Sequence, residues 1–208
     1  METNLFTEVR DVNSVKNASG LKGRFVVSYI GTLGLAHGLR TVLEAAAQLQ
    51  KNFPKILFQF VGEGADKERL IKFVQDLGLK NILFRPQQPR ENIPSIISAS
   101  DICLVLLKKA EVFKTVIPTK MLEFMACARP VILGVDGQAR KVLVDMAGAG
   151  VFIKPEDPVA LSDAIIKLYQ NAALRKALGH NGRNYILKHL TRETTAKAYI
   201  KVLKKTIG

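Results

Sequence analysis

The stretch "FVVSYIGTLGLAHGLRTVLEAAAQL" (residues 25–49) joins an apolar run to a helical pattern through a turn with three glycines. Residues 25–30 predict a buried strand, and apolar residues at 39, 42, 43, 46 and 49 recur with the spacing of one helix face. The glycines follow G-x-x-G-x-x-x-G, which is neither the dinucleotide-binding fingerprint nor a P-loop. They fit two interpretations: a backbone that approaches an anion at a helix start, or a tight turn that needs small residues for packing.

The same strand–turn–helix order recurs along the rest of the chain. Further apolar strands are predicted at 56–61, 82–84, 102–107, 131–133 and 151–153. Helices are predicted at 39–49, 65–78, 93–99, 118–128 and 138–147, and throughout the remainder of the chain. Near-continuous apolar strands that alternate with helices indicate a parallel sheet covered on both faces. We therefore predict an α/β fold, a Rossmann-like three-layer domain with a six-stranded parallel sheet and helices on both faces.

Ligands of such sheets bind outside the carboxyl ends of the strands. The loops that fall at these ends are 31–38, 62–64, 85–92, 108–117 and 134–137. We therefore expect any ligand site of this chain to be built from them.

The charge of the chain is strongly positive, with a formal net charge of +13. Residues 158–208 contain ten Lys or Arg and only two acidic residues. Such a surface suits an anionic ligand, an anionic membrane or a nucleic acid, or it is simply a solvated basic face. Nucleic acid is not expected, because the chain has no Trp, no aromatic-rich strand and no zinc-finger spacing.

The cysteines and the hydropathy pattern predict a cytoplasmic location. Cys103 lies in an apolar run and Cys127 in a helical pattern, which is typical of buried thiols in a reducing compartment. No apolar run approaches the roughly 18 residues of a membrane span. A peripheral position at the inner membrane face is the alternative that the basic surface leaves open.

The stretch "TVIPTKMLEFMACARPVIL" (115–133) predicts a helix with a proline in its first turn. Lys120, Glu123 and Cys127 share one face of this helix, and the other positions are apolar. A helix N-terminus and Lys120 would neutralise a phosphate, while Glu123 would accept hydrogen bonds from hydroxyls. This pattern suits a phosphorylated sugar; the alternative is an exposed ion pair worth less than about 1 kcal/mol.

Four stretches, in this order, resemble GT-B-fold glycosyltransferases of family 4 (group 1), which retain the anomeric configuration. They are "YIGTLGLAHGL" (29–39), "ILFRPQQPRENIPSIISASDICLVLL" (82–107), "PTKMLEFMACARPVI" (118–132) and "GAGVFIKPEDPVALSDAI" (148–165). The resemblance covers residues 25 to about 190. It implies one half of a GT-B fold, the C-terminal domain that binds the nucleotide sugar.

The resemblance also implies roles for individual residues. The residues that it implies for binding the donor diphosphate are Gly31, Thr32, Gly34 and His37 on one side and Pro118, Thr119, Lys120 and Met121 on the other. The resemblance implies that Glu123 binds the ribose. It implies that the base contacts Gly62, Glu63, Pro86 and Gln87. No metal motif is present, so donor binding is expected to need neither a metal nor another cofactor.

The chain departs from the family pattern at three of these positions. Thr32 and His37 stand where family members often have Arg and Lys. The first of the family's two glutamates, eight positions before Glu123, falls on Thr115. Thr115 itself and the nearby Glu111 and Lys114 are the candidates for contacting the donor sugar. The resemblance assigns the catalytic group to the first domain, so no catalytic residue is identified in this chain.

The segment "ETNLFTEV" (2–9) is similar to the connection between the two domains of the family. We therefore predict an interdomain linker or tail over 1–23 and the donor-binding domain over 24–208, without the N-terminal acceptor domain. The final helix of this fold packs on that first domain.

The function implied is transfer of a sugar from a nucleotide sugar, a UDP-sugar, with retention, in bacterial surface polysaccharide or glycolipid synthesis. The isolated chain is expected to bind the donor without meaningful transfer. A lipid-linked acceptor or an anionic membrane surface is a further expected partner. The alternatives are a GT-B sugar-nucleotide epimerase or a phosphorylase-like hydrolase, and a non-enzymatic basic α/β module that binds membrane or nucleic acid.

Overall fold

A six-stranded, all-parallel sheet forms the centre of the computed structural model, which describes residues 1–9 and 11–207. The strands are β1 Phe25–Ile30, β2 Ile56–Val61, β3 Ile82–Arg85, β4 Ile102–Leu106, β5 Val131–Gly134 and β6 Gly150–Phe152. Their order across the sheet is β3-β2-β1-β4-β5-β6. The order reverses between β1 and β4, which is the point where open α/β sheets bind ligands. The predicted fold class is confirmed.

Nine helices surround the sheet within the described residues. They are α1 Val12–Ala18, α2 Arg40–Leu49, α3 Lys67–Asp76, α4 Ile93–Ser98, α5 Thr119–Ala126, α6 Gln138–Arg140, α7 Pro158–Gln170, α8 Ala172–His189 and α9 Arg192–Ile207. Short 3-10 turns occupy Leu35–His37, Arg90–Asn92 and Glu111–Thr115, and a π-helical turn, Lys141–Met146, continues α6.

The alternation of side chains along the strands separates two apolar layers. In β4, Ile102, Leu104 and Leu106 pack with α2, α3 and α7, whereas Cys103 and Val105 pack with α4, α5 and α8. Successive side chains of a strand point to opposite faces, so a strand with helices on both sides is apolar throughout. This is why the strand prediction succeeded at 25–30 and 56–61 to the residue.

Several helix ends differ from the sequence-based prediction. The helix predicted from residue 39 begins at Arg40, after the 3-10 turn, and Pro118 caps α5 from an extended conformation (ψ 126°) instead of lying in its first turn. Ala128 ends that helix early, because its φ of 56° lies in the left-handed region. The helix predicted at 138–147 consists of the short α6 and the π-helical turn.

The N-terminal segment, for which a linker or tail is predicted, packs against the domain. Phe6 is fully buried among residues of α5 and α8, and Leu21 is buried beneath α1. The amino group of Met1 donates a hydrogen bond to the Leu190 carbonyl at 2.7 Å. Two isolated apolar anchors are too few to produce a periodic pattern. That the segment connects two domains stays a prediction.

The last helix, α9, exposes the apolar stripe that its sequence predicts. Tyr199 is 65% exposed and Ile200 50%, and Leu203 is exposed beside them. The lysines at 197, 201, 204 and 205 alternate with this stripe along the helix. Across residues 1–9 and 11–207, no helix has the length and apolar character to cross a bilayer.

Candidate functional site

A cavity of about 450 Å³, the β1–β2 cavity, opens at the carboxyl ends of β1 and β2, where α5 begins. Its lining comes from three loops and from α5, which are distant in sequence. Eight of the residues predicted to bind the donor line it: Gly31, Thr32, His37, Gly62, Glu63, Gln87, Lys120 and Glu123. Ile30, Val61, Gln88, Arg90 and Ile93 complete the lining. The volume lies within the range of about 300–1,000 Å³ that is usual for small-molecule sites.

Two glycines at the strand ends create the floor of this cavity. Gly31 has a φ of 136°, and a Cβ there would lie 2.7 Å from the Lys120 ammonium nitrogen. Gly62 has a φ of 145°, and a Cβ there would overlap the Gly31 carbonyl oxygen. The two strand ends can therefore pack closely and leave room for the lysine. For Gly31 these contacts fit the packing interpretation of the glycine turn, and the same packing shapes the cavity.

Lys120 extends from the first turn of α5 over the ring of Tyr29. Its ammonium nitrogen lies 4.1 Å from the ring centroid and donates a hydrogen bond to the Tyr29 hydroxyl at 2.9 Å. The hydroxyl in turn donates to the Thr32 carbonyl at 2.8 Å, and burial raises the pKa of Tyr29, which keeps it neutral. Burial lowers the pKa of Lys120 to about 8. A poorly hydrated cation at a helix N-terminus attracts an anion strongly.

His37 lies beside this lysine but is less suited to an anion than the sequence predicted. Burial, and next the charge of Lys120, lower the pKa of His37 below its usual 6.5. The ring nitrogen Nδ1 lies 3.3 Å from the Gly34 carbonyl. A neutral imidazole that donates from Nδ1 presents an acceptor at Nε2. The neutral ring is therefore a weak partner for phosphate at pH 7.

Glu123 lies one turn after Lys120 on the same face of α5, as predicted. Its side chain is 14% exposed, and its Oε1 lies 3.5 Å from a guanidinium nitrogen of Arg90. Burial raises the pKa of Glu123, while Arg90 and Lys120 oppose the rise. The other carboxylate of the lining, Glu63, pairs with Lys67 at 2.6 Å. Glu123 is therefore the cavity carboxylate with room to accept hydrogen bonds from a ligand's hydroxyls.

Several predicted binding residues lie outside the cavity lining. Met121 is fully buried in the apolar layer, because its side chain points about 100° around the helix from Lys120. Its N–H donates to the Pro118 carbonyl at 3.0 Å. Gly34 has an ordinary φ of −110° and begins the 3-10 turn. Five predicted residues are therefore not reproduced as lining residues: Gly34, Pro86, Pro118, Thr119 and Met121.

The three candidates for contacting the donor sugar do not line this cavity either. Glu111 and Lys114 form an ion pair of 2.8 Å and line a separate cavity of about 620 Å³, the β5–β6 cavity, over the ends of those two strands. The Thr115 hydroxyl donates to the Val112 carbonyl at 3.1 Å. The turn Glu111–Thr115 leads the chain away from the β1–β2 cavity. Nothing in these contacts replaces the glutamate that the resemblance expects at position 115.

Arg90 is the charged lining residue that sequence reasoning missed. It lies in the 3-10 turn after β3, 33 residues before its partner Glu123. No spacing within one helix or strand connects the two, and only the sheet order brings them together. The signal in the sequence was weak: a basic residue in a loop already expected at the ligand edge.

A metal site does not accompany this cavity in the part of the chain that the structure describes. Across residues 1–9 and 11–207, no group of three or more His, Cys, Asp or Glu side chains is arranged to hold a metal ion.

The comparisons with known proteins identify the family and the fold. The family model of glycosyl transferases group 1 matches residues 11–185. The uncharacterized glycosyltransferase MJ1069 of Methanocaldococcus jannaschii is 26% identical over 206 residues, which make up 97% of this chain and 51% of that protein. The chain spans about half the length of the curated relatives it matches.

Two solved structures illustrate the similarity of fold. The C-terminal domain of a glycosyl transferase group 1 family protein (LpcC) from Francisella tularensis has a TM-score of 0.79 at 22% identity, covering 92% of this chain and 99% of that one. The Anabaena HepE protein in complex with UDP has a TM-score of 0.86 at 19% identity, covering 99% of this chain and 56% of that one. These similarities confirm the Rossmann-like fold seen in GT-B glycosyltransferase domains.

Proposed function

The chain belongs to the glycosyl transferases group 1 family, and on that basis we propose that its β1–β2 cavity binds the nucleoside diphosphate of a sugar donor. The observation that carries the proposal is the pair Lys120 and Glu123. A poorly hydrated cation and a carboxylate project from one helix face into one cavity, at the point where the strand order reverses. This is the arrangement that a diphosphate linked to a ribose requires.

The cavity divides into three parts under this proposal. Lys120, the first turn of α5 and the backbone N–H of Thr32 bind the diphosphate, and Gly31, whose own N–H donates to the Val61 carbonyl, leaves room for it. Glu123 accepts hydrogen bonds from the ribose hydroxyls. Gly62, with Glu63 and Gln87 at the rim, contacts the base. The helix dipole and Lys120 also stabilise the negative charge that develops on the departing diphosphate, so the proposed site uses no divalent metal.

We propose a UDP-sugar as the donor and retention as the stereochemical outcome, in synthesis of a bacterial surface polysaccharide or glycolipid. The solved HepE complex contains UDP, which supports uridine as the base to test first. The matched relatives are about twice as long as this chain, which supports a further, acceptor-binding domain in the whole protein. We propose that transfer needs that domain as well, and that residues 1–208 tested alone bind the donor without transfer.

The exposed helix α9 supports two further partners. Its apolar stripe suits packing against the acceptor-binding domain, and its lysines then face an anionic membrane that carries a lipid-linked acceptor. A peripheral position at the cytoplasmic membrane face follows from this proposal. Sedimentation with vesicles of anionic and of neutral lipid tests it, and Lys204→Glu with Lys205→Glu should reduce binding to the anionic vesicles alone.

Thermal unfolding and calorimetry with UDP, GDP and UDP-glucose test donor binding. Ligand at about one hundred times its Kd should stabilise the folded chain by roughly 2.7 kcal/mol. The stabilisation should disappear in Glu123→Ala and persist in Glu111→Ala, whose carboxylate lies outside the cavity. Equal stabilisation of both variants, or none for wild type with any nucleotide at millimolar concentration, would contradict the proposal.

A further inference from the structure

Arg90 touches both the N-terminal segment and the cavity. It lies in the 3-10 turn between β3 and α4, and its side chain is 59% exposed. The roles proposed above for the diphosphate, ribose and base do not use it. Its guanidinium has five N–H donors in a planar fork, so it can serve two carboxylates at once.

The N-terminal segment anchors one side of this guanidinium. The Glu2 carboxylate accepts a hydrogen bond from Arg90 at 2.6 Å, and the guanidinium carbon lies 5.2 Å from the centre of the buried Phe6 ring. Glu2 also pairs with Arg192 at the start of α9. The position of Arg90 therefore depends on how residues 1–6 pack on the domain.

The other side of the guanidinium faces the carboxylate of Glu123, the residue proposed to bind the ribose. Its Nη1 lies 3.5 Å from Glu123 Oε1, a distance that a small movement of either side chain would turn into a strong hydrogen bond. The charged groups around Glu123 are Arg90 from the 3-10 turn, Glu2 from the N-terminal segment and Lys120 from its own helix, with His37 beyond Lys120. Lys120 lies on the same helix as Glu123, whereas Arg90 reaches Glu123 from the 3-10 turn and is anchored there by the N-terminal segment.

We infer that Arg90 is a positioning residue, which orients the Glu123 carboxylate toward the ribose hydroxyls and links nucleotide binding to the seating of the N-terminal segment through Glu2 and Phe6. The inference rests on the proposed function. It makes residues 1–6 part of the nucleotide site without any contact between them and the ligand. Since coupling between two sites is reciprocal, bound nucleotide also holds the segment in place.

An exposed ion pair with no role in binding is the competing explanation, and the chain offers a matched control for it. Arg40 is 63% exposed, pairs with Glu44 at 2.8 Å and lies 4.7 Å above the Phe73 ring. It thus has the same kind of partners as Arg90, a carboxylate and an aromatic ring, but does not line the β1–β2 cavity.

The test is calorimetric titration of the full chain with UDP and with 2′,3′-dideoxy-UDP between pH 5 and pH 8. Wild type is compared with Arg90→Ala, Arg90→Lys, Glu2→Gln and the control Arg40→Ala, after thermal unfolding has shown that each variant is folded. In wild type, the ratio of the two Kd values measures the ribose contact of Glu123.

Arg90→Ala should weaken UDP binding about five-fold and reduce the preference for UDP over the dideoxy analogue. It should also shift the acid limb of the binding profile to higher pH, because Glu123 loses a cation that keeps it ionised. Arg90→Lys should recover part of the affinity, and Glu2→Gln should show a smaller change in the same direction. Arg40→Ala should match wild type.

Two failures are distinguishable. If wild type binds UDP and Arg90→Ala has the same Kd, the same ratio and the same pH profile, the inference is wrong while the proposed function stands. The inference is also wrong if Glu2→Gln behaves as wild type, because the link to the N-terminal segment is then absent. If wild type binds no nucleotide, the proposed function fails, and the inference with it.

Discussion

Replacing Lys120 with methionine should make the folded chain more stable while it weakens nucleotide binding. A lysine has an ordinary pKa of 10.5, and burial lowers that of Lys120 to about 8. Each pH unit between these values corresponds to about 1.4 kcal/mol, so keeping this ammonium charged in the folded state at pH 7 costs roughly 3 kcal/mol. Methionine has a similar length and no charge, so Lys120→Met removes that cost.

The net gain is smaller than the full cost, because favourable contacts are also lost. The ammonium lies over the Tyr29 ring, an interaction worth about 1 kcal/mol, and donates to its hydroxyl. The Tyr29 hydroxyl keeps its own bond to the Thr32 carbonyl and is not left unpaired. We expect a gain of about 1–3 kcal/mol, or roughly 2–10 °C in Tm for a chain of this size.

The pH dependence provides a second check on the same reasoning. The folded-state pKa of Lys120 lies below the unfolded value, so its penalty is fully present below about pH 8 and disappears as the pH rises toward 10.5. The difference in unfolding free energy between Lys120→Met and wild type should therefore be largest at pH 7 and should disappear by about pH 10.5.

Urea unfolding at pH 7, 8.5 and 10 measures this difference, with calorimetry for UDP affinity. Lys72→Met is the control, because Lys72 is exposed and pairs with the likewise exposed Asp76 at 3.1 Å. UDP affinity of Lys120→Met should fall roughly 10- to 100-fold, as for a lost charge-assisted hydrogen bond. A variant that is less stable than wild type at pH 7, or a difference that does not change with pH, would refute the reasoning.

Three further predictions concern the cavity and its supports. UDP affinity of wild type should fall about ten-fold between pH 7 and pH 9, because binding the anionic diphosphate above the Lys120 pKa of about 8 requires Lys120 to take up a proton. Calorimetry should show no such fall in Lys120→Arg, which stays charged. Gly62→Ala should lower the free energy of unfolding in urea by at least about 3 kcal/mol, because a φ of 145° and an overlap of the new Cβ with the Gly31 carbonyl act together. Gly78→Ala is the control: Gly78 has a φ of 59° and open space around it, so the loss should be about 1 kcal/mol. Phe6→Ala should cost about 3–5 kcal/mol, because the ring is fully buried; a cost below about 1 kcal/mol would show that the N-terminal segment does not belong to the folded unit.

The sheet and half of the site were predictable from the sequence because their signals are local. A strand buried on both faces is a continuous apolar run, and the β-α alternation places each loop at one edge of the sheet. Lys120 and Glu123 lie three residues apart on one helix, so their common face followed from helix geometry alone. Gly31 and Gly62 directly follow β1 and β2, and since the strands of a parallel sheet end at the same edge, both glycines were expected at that edge.

The parts that failed depend on contacts between distant segments or on the path of irregular chain. Arg90 reaches Glu123 only because β3 and α5 are positioned by the whole sheet. The turn at Glu111–Thr115 directs its side chains to another cavity, which no spacing in a loop can predict. Phe6 anchors the N-terminal segment as a single residue, and a single residue has no periodicity.

The central claim is that Lys120 and Glu123 bind a nucleoside diphosphate at the ends of β1 and β2. A crystal structure of the chain grown with UDP tests it most directly. The account predicts diphosphate oxygens within hydrogen-bond distance of the Lys120 ammonium and ribose hydroxyls on the Glu123 carboxylate. UDP bound in the β5–β6 cavity beside Glu111 and Lys114, or with its ribose away from Glu123, would contradict it.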